Sequence, residues 1–351
     1  MGEIGGLSAV GEEFEKEAKE SLTAGGSESP WRSSLRQLRR NRPAMIALGV
    51  LMFMVIVSLC APIYAHHFAH DDPFNSNLQG RIKIGGKFRS VMQANPSGLG
   101  VVPIAPTWSF SHYFLGADEL GRDVFARLLY GGRVSLLIGF SSAVICVFVA
   151  AVMGMVAGYF GGVVDWLMSR LFDIIWAFPI YLLAISLSVI LLTSGLNLGV
   201  IHISAGSLLL PILIIASVYV PYVARPIRGI VFSLKEREFI QAAIASGASD
   251  WHILRKEILP NVAPSVIVFF PLMVAFSLLT ESALSFLSIG VQPPQASWGT
   301  IIQDGLQLLY TRPWVAIAPG LCIVVTAGAL NILGDGARDA FDPKAKLRGS
   351  I

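Results

Sequence analysis

Between Arg133 and Asp165 the chain reads VSLLIGFSSAVICVFVAAVMGMVAGYFGGVV (134–164), without one charged side chain. A helix crosses the hydrocarbon core of a bilayer in about 20 residues, so this run is long enough and apolar enough to span a membrane. Working outward, residues 44–65 form a second such run, and residues 258–280 and 313–334 two more. The longest run, 174–224, exceeds one helix, and Ser194-Gly195-Leu196-Asn197-Leu198-Gly199 marks a turn near its middle. It is read as one helix over about 166–193 and another over about 207–224. The predicted fold is therefore an all-α membrane protein with six transmembrane helices.

Composition agrees. Of 351 residues, 54% are apolar and only 14% charged, against roughly 25% charged in a typical soluble protein. So few charges cannot coat a soluble surface of this size. A conventional cytosolic enzyme, a disordered regulator and a disulfide-stapled secreted domain are all excluded. A net charge of +3 is too weak to point to nucleic acid. Cys60, Cys146 and Cys322 sit in apolar stretches without metal-ligand spacing and read as small packing residues.

Lys and Arg near helix ends set orientation. Arg32, Arg36, Arg39, Arg40 and Arg42 crowd the entrance to the first helix, which places the N-terminus in the cytoplasm. Six crossings return the C-terminus to that side, where Lys344, Lys346 and Arg348 agree. Residues 66–133 carry seven basic residues yet fall outside; loops longer than about 60 residues escape the rule. The resulting division is a disordered tail over 1–30 and a basic segment with the first helix over 31–65. An extracytoplasmic loop (66–133), a transmembrane core (134–334) and a cytoplasmic tail (335–351) follow. No cleavable signal peptide is expected, because the first 42 residues have no apolar core.

In the outer loop, residues 81–89 alternate polar and apolar side chains around Gly85-Gly86, which predicts a β-hairpin. Residues 95–106 are Pro/Gly-rich and read as irregular. His66, His67 and His70 before Asp71 and Asp72 are read as an interfacial polar cluster rather than a metal site.

Three function classes compete. An intramembrane enzyme would need a catalytic constellation, and the chain has no HExxH, no GxSG and no pair of mid-membrane aspartates. An ion-coupled transporter would place ionisable groups near the midplane; Glu281, late in the fifth helix and close to the outer face, is the one clear candidate. It would couple ions, pair with a neighbouring subunit or reach the interface. The third class is a pore-forming subunit driven by a partner. GxxxxGK[ST] is absent, so any ATP is hydrolysed elsewhere, and a partner needs a docking surface. The loop between helices four and five supplies one. Residues 238–246 predict a short small-residue helix that breaks at Gly247, and Trp251, Leu254 and Ile258 follow at helical spacing. Pro260 suits the first turn of helix five. Ala242, Ala243 and Gly247 lack bulk, so another protein's backbone can approach closely.

This loop resembles the EAA loop of ABC importer permeases, whose pattern is EAA, three residues, Gly, then a spacer ending in LP. Ala242, Ala243, Gly247, Leu259 and Pro260 match; Gln241 replaces the usual Glu, and Glu257 stands where Ile is frequent. Leu115-Gly116-Ala117-Asp118-Glu119-Leu120-Gly121-Arg122-Asp123-Val124 with Arg127 is similar to the segment before helix two in dipeptide/oligopeptide/nickel importer permeases of the C-subunit type. Gly158 to Gly162, Asp165, Arg170, Asp173, Phe178-Pro179, Ser297-Trp298-Gly299 and Arg338-Asp339 continue the likeness through residues 32–346.

The resemblance implies the type I (MetI-like) importer fold and a non-catalytic subunit of a bacterial inner-membrane assembly without cofactor or metal. The implied partners are a second permease, two ATPases and an extracytoplasmic binding protein, with a peptide as cargo. Nickel or opine import is the alternative within the family. Glu238, Gln241, Ala242, Ala243, Gly247, Ala248, Leu259 and Pro260 would form the coupling element. Gly116, Asp118, Gly121, Arg122, Asp123 and Arg127 would order the outer segment or meet the binding protein. Gly154, Gly158 and Gly162 form a small-residue face suited to close helix contact, within the chain or with a partner. The 78–106 stretch, longer than the family pattern, is the candidate partner-facing loop.

Overall fold

The computed structural model describes residues 30–341, apart from 70, 71, 85, 96, 97, 99, 198, 200 and 201. The expected tail over 1–30 thus lies almost wholly outside the described residues, as do His70 and Asp71 of the histidine-rich stretch. Helix α1 (Pro30–Arg40) leads into α2 (Arg42–Leu59), where Asn41 caps the N-terminus by accepting the Ala44 N–H at 3.1 Å. A single turn, α3 (Ala61–Tyr64), follows. The long helix α4 (Val124–Phe160) packs most extensively against α7 (Leu209–Lys235). Between them lie α5 (Gly162–Trp176) and α6 (Ile180–Ser194). Helix α8 (Glu238–Ala245) and the one-turn α9 (Asp250–His252) precede α10 (Leu259–Phe286), and the short α11 (Trp298–Asp304) precedes α12 (Trp314–Phe341). Helix α10 packs on α4 and α12, and α12 on α2, closing one helical core.

Among the described residues five helices are long and apolar enough to cross a membrane, and α5 with α6 makes a sixth if that bent pair is one span. The expected continuous helix over 166–193 is therefore broken. Its halves meet at 86°, with Pro179 at the joint, where a missing N–H and a fixed φ interrupt the helical ladder. Helix α4 starts earlier than the charge-free run, because Asp123 caps it and Arg127 and Arg133 ride inside it. It stops where Gly161 takes φ +66°. Helix α10 continues an unbroken rod that begins at Asp250, through a wider π-helical turn at Ile253–Ile258. The last helix extends to Phe341, so the start of the expected C-terminal tail is helical.

The 66–123 connection is ordered by its own small core of Ile82, Val91, Ile104, Tyr113 and Ala117. The predicted hairpin forms as β1 (Arg81–Ile84) and β2 (Lys87–Ser90), pairing Arg81 with Ser90 and Ile84 with Lys87. Within the stretch expected to be irregular, β4 (Val101–Pro103) pairs with β3 (Met92–Ala94), just before it, as a second hairpin. The turn expected at 194–199 is a third, minimal hairpin, β5 (Leu196–Asn197) with β6 (His202–Ile203). Arg312 donates to the Pro103 carbonyl at 2.7 Å and so pins the second hairpin beside the start of α12.

Candidate functional site

The predicted coupling loop stands at the end of the bundle where α7 ends and the α9–α10 rod begins. Helix α8 stops at Gly247, whose φ of +77° suits glycine. The Gly247 N–H donates to the Ile244 carbonyl at 2.9 Å and the Ala248 N–H to the Ala243 carbonyl at 3.1 Å. Ser249 then caps α9. Ile240, Ile253 and Ile258 are buried and, with the half-buried Ala243 and Ala248, hold the loop on the bundle. Glu238, Gln241, Ala242, Gly247, Leu259 and Pro260 are exposed, and so are three large apolar side chains, Phe239, Ile244 and Trp251. The amphipathic reading is corrected in one respect: Trp251 points away from the buried Ile253/Ile258 side. The loop is tied to the bundle where Tyr159 donates to Asp250 at 2.7 Å and Gln241 to the Lys235 carbonyl at 2.8 Å, and Lys235 in turn donates to the Tyr159 carbonyl at 2.8 Å.

At the opposite end the outer segment is built on itself. Gly116 and Gly121 turn the chain at φ +82° and +74°. Asp123 accepts the Phe125 and Ala126 N–H groups at 2.8 and 3.0 Å, capping α4, and its other oxygen accepts the Tyr113 N–H at 2.7 Å. Asp118, 1% exposed, accepts from Arg122 Nε at 2.7 Å and from the Leu120 and Arg122 N–H groups at 3.0 Å each. Arg127, 3% exposed, lies 3.3 Å from Asp118 and 2.7 Å from Asp304, which Arg122 also meets at 3.0 Å. Burial pushes the Asp304 carboxyl up, while Arg127 and Arg122 pull it back. Burial also raises Glu119, with the Asp304 and Asp118 charges adding to it. Of the two roles open to this segment, the structure displays the internal one. Asp304 completes the lock; it lies far away in sequence, and no local pattern announces it.

Glu281 joins the two halves of that end. It is fully buried, so it neither reaches an interface nor faces a neighbouring subunit, contrary to two of the expectations. Ser135 and Ser285 hydroxyls donate to its two oxygens at 2.8 and 2.7 Å, and Ser282 at 3.4 Å. Ser135 in turn accepts the Trp298 N–H at 3.1 Å, and Ser285 the Val291 N–H at 3.0 Å. One carboxylate therefore fastens α4, α10 and the 287–298 connector together.

The glycine face of α4 is internal. A Cβ at Gly154 would stand 2.7 Å from the Ala224 carbonyl oxygen, and one at Gly158 2.8 Å from that of Arg228. Both serve the α4–α7 contact. Gly162 does not belong to this face; it turns the chain at φ +51° with open space around it. Nearby, Arg228 binds Asp165, and Arg225 meets Asp173 at 2.6 Å while stacking over Trp176 at 4.2 Å. Among the described residues no cluster of His, Cys, Asp and Glu could hold a metal.

Known proteins resemble this chain in sequence. Residues 150–347 match the family described as the binding-protein-dependent transport system inner membrane component. The chain belongs to that family. As a member of it, the protein is a multi-pass membrane permease of an ABC importer, a class that works with ATPase and substrate-binding partners. Residues 29–80 of this permease match the N-terminal transmembrane domain of oligopeptide transport permease C. It is 35% identical to the dipeptide transport system permease protein DppC of Alkalihalophilus pseudofirmus, over 91% of each chain. It is 39% identical to the glutathione transport system permease protein GsiD of Pectobacterium atrosepticum, over 67% of this chain and 74% of that protein. It is 34% identical to the oligopeptide transport system permease protein OppC of Haemophilus influenzae, over 90% and 89%.

Proposed function

We propose that this permease is the non-catalytic C-type subunit of an ATP-driven peptide importer, paired with a second permease to enclose the translocation path. The observation that carries the reading is the exposure of Phe239, Ile244 and Trp251 on one short loop fixed to the spanning helices. A solvated connector has no use for three large apolar side chains; a groove on an ATPase does. Basic residues gather at the same end (Arg225, Arg228, Lys235, Arg237, Arg255, Lys256), which supports a cytoplasmic position for this loop and for both termini in a bacterial inner membrane. Closure of an ATPase dimer would move α8, and through it α7 and the α9–α10 rod, alternating access to the path. The two hairpins at 81–103, with Phe88 exposed, face the opposite side and are the surface proposed for the binding protein. Peptide cargo is favoured because the three relatives above are named for dipeptide, oligopeptide and glutathione transport.

The test is reconstitution with the partner permease, the ATPases and the binding protein, followed by ATP-dependent uptake of a labelled dipeptide. Uptake is expected to need every component and to be lost in Trp251→Asp while the chain still inserts. Uptake by this chain alone, or undiminished uptake by Trp251→Asp, would overturn the assignment.

A further inference from the structure

A cavity of about 780 Å³ opens between α2, α4, α10 and α12. Its walls come from four membrane-spanning helices and are apolar almost throughout, with Val55, Leu137, Phe140 and Leu330 among them. Along α4 the lining residues Tyr130, Arg133, Val134, Leu137 and Phe140 fall at helical spacing, so they form one stripe. The top of the stripe is polar and the rest is not. Arg133 is the one charged residue among the described lining residues, which also include Gln295. It is also the last charge before the run 134–164 begins, so it stands at the depth where lipid headgroups meet hydrocarbon. Its guanidinium lies 5.7 Å over the Tyr130 ring and, among the described residues, makes no ion pair. Tyr130 is itself held edge-on by Phe74, with ring centroids 5.1 Å apart. Leu137 and Phe140 remain exposed below.

We infer that this groove is a phospholipid site: one acyl chain lies along Leu137 and Phe140, and the phosphate is bound by Arg133 beside the Tyr130 hydroxyl. An unpaired cation above an apolar trough matches the head-to-tail polarity of a phospholipid. A packed protein helix would leave that cation without a counter-charge. The guanidinium presents several N–H donors in a planar fork that suits a phosphate.

The test uses the assembled importer in nanodiscs of phosphatidylglycerol and phosphatidylcholine, with p-benzoylphenylalanine placed at Leu137. Illumination is expected to give phospholipid adducts. Arg133→Gln should lower their yield after detergent washing about fivefold, the effect of losing roughly 1 kcal/mol per basic residue at the membrane surface. Arg133→Lys should retain most of it. The same crosslinker at Phe148, exposed elsewhere on α4, reports bulk lipid and should not respond to Arg133. A protein adduct at Leu137, or a Leu137 yield as indifferent to Arg133 as that at Phe148, would overturn the site.

Discussion

The two ends of the bundle use their side chains in opposite ways. At the end bearing Asp118, Arg122, Arg127 and Asp304, charged groups are buried or half-buried and spent on one another. At the end bearing Glu238 to Asp250, the polar ties are few, and apolar Phe239, Ile244 and Trp251 are left uncovered. The first arrangement pairs its charges within the chain, with Arg127 Nε and Nη1 buried and without a hydrogen-bond partner. The second leaves a surface open to a partner, as the proposed docking of an ATPase requires. An importer subunit needs both, a fixed frame and a surface that answers to another protein.

The contrast can be broken, and its sharpest break is Asp118→Ala. That change strands Arg127, which is 3% exposed, with Asp304 alone. Removing one partner of a buried ion pair costs about 3–5 kcal/mol, so the thermal midpoint of the detergent-solubilised protein should fall markedly. Glu281→Gln ranks next. It keeps the shape but turns one of the oxygens that accept from the Ser135 and Ser285 hydroxyls into an N–H donor, leaving a buried group unsatisfied at a cost of about 1–3 kcal/mol. The same measurement should show a smaller fall, accompanied by faster proteolysis of the 287–298 connector. Phe239→Ala combined with Trp251→Ala should cost least, within about 0.5 kcal/mol for each exposed position, while co-purification of the ATPases is lost. Equal stability losses at the two ends would erase the distinction.

Much of the frame was legible in sequence, because lipid punishes charge and the charge-free runs therefore mark the spans. The same logic failed where charge and helix part company. Helix α4 carries Arg127 and Arg133 inside it, since the part of a helix that overhangs the hydrocarbon can pair one charge with Asp118 and Asp304 and leave the other exposed. The α5–α6 break was missed because a bend changes direction without changing polarity; Pro179 was its one local signal. The hairpin at 81–90 was readable from alternation and Gly85-Gly86, whereas β3 and β4 alternate over too few residues to show. At the candidate site, Gly247 and the loop around it were readable from turn chemistry. Asp304 was not, and neither was the bond from Ser135 to Glu281, because both partnerships join residues far apart in the chain.

The wide turn at Ile253–Ile258 has a mechanical consequence. From Asp250 to Phe286 the backbone is a single helix of 37 residues, with Trp251 near one tip and Glu281 near the other. An α-helix advances about 1.5 Å and turns about 100° per residue. Were the extra residue of the wide turn absorbed into regular α-helix, everything before it would rotate about the axis by roughly that angle. The coupling end would then swing sideways while Glu281 stayed seated among its serines. On the proposed coupling role, the turn would then act as a swivel: a tug at Trp251 would reach the interior as torque on a shaft rather than as a thrust along it.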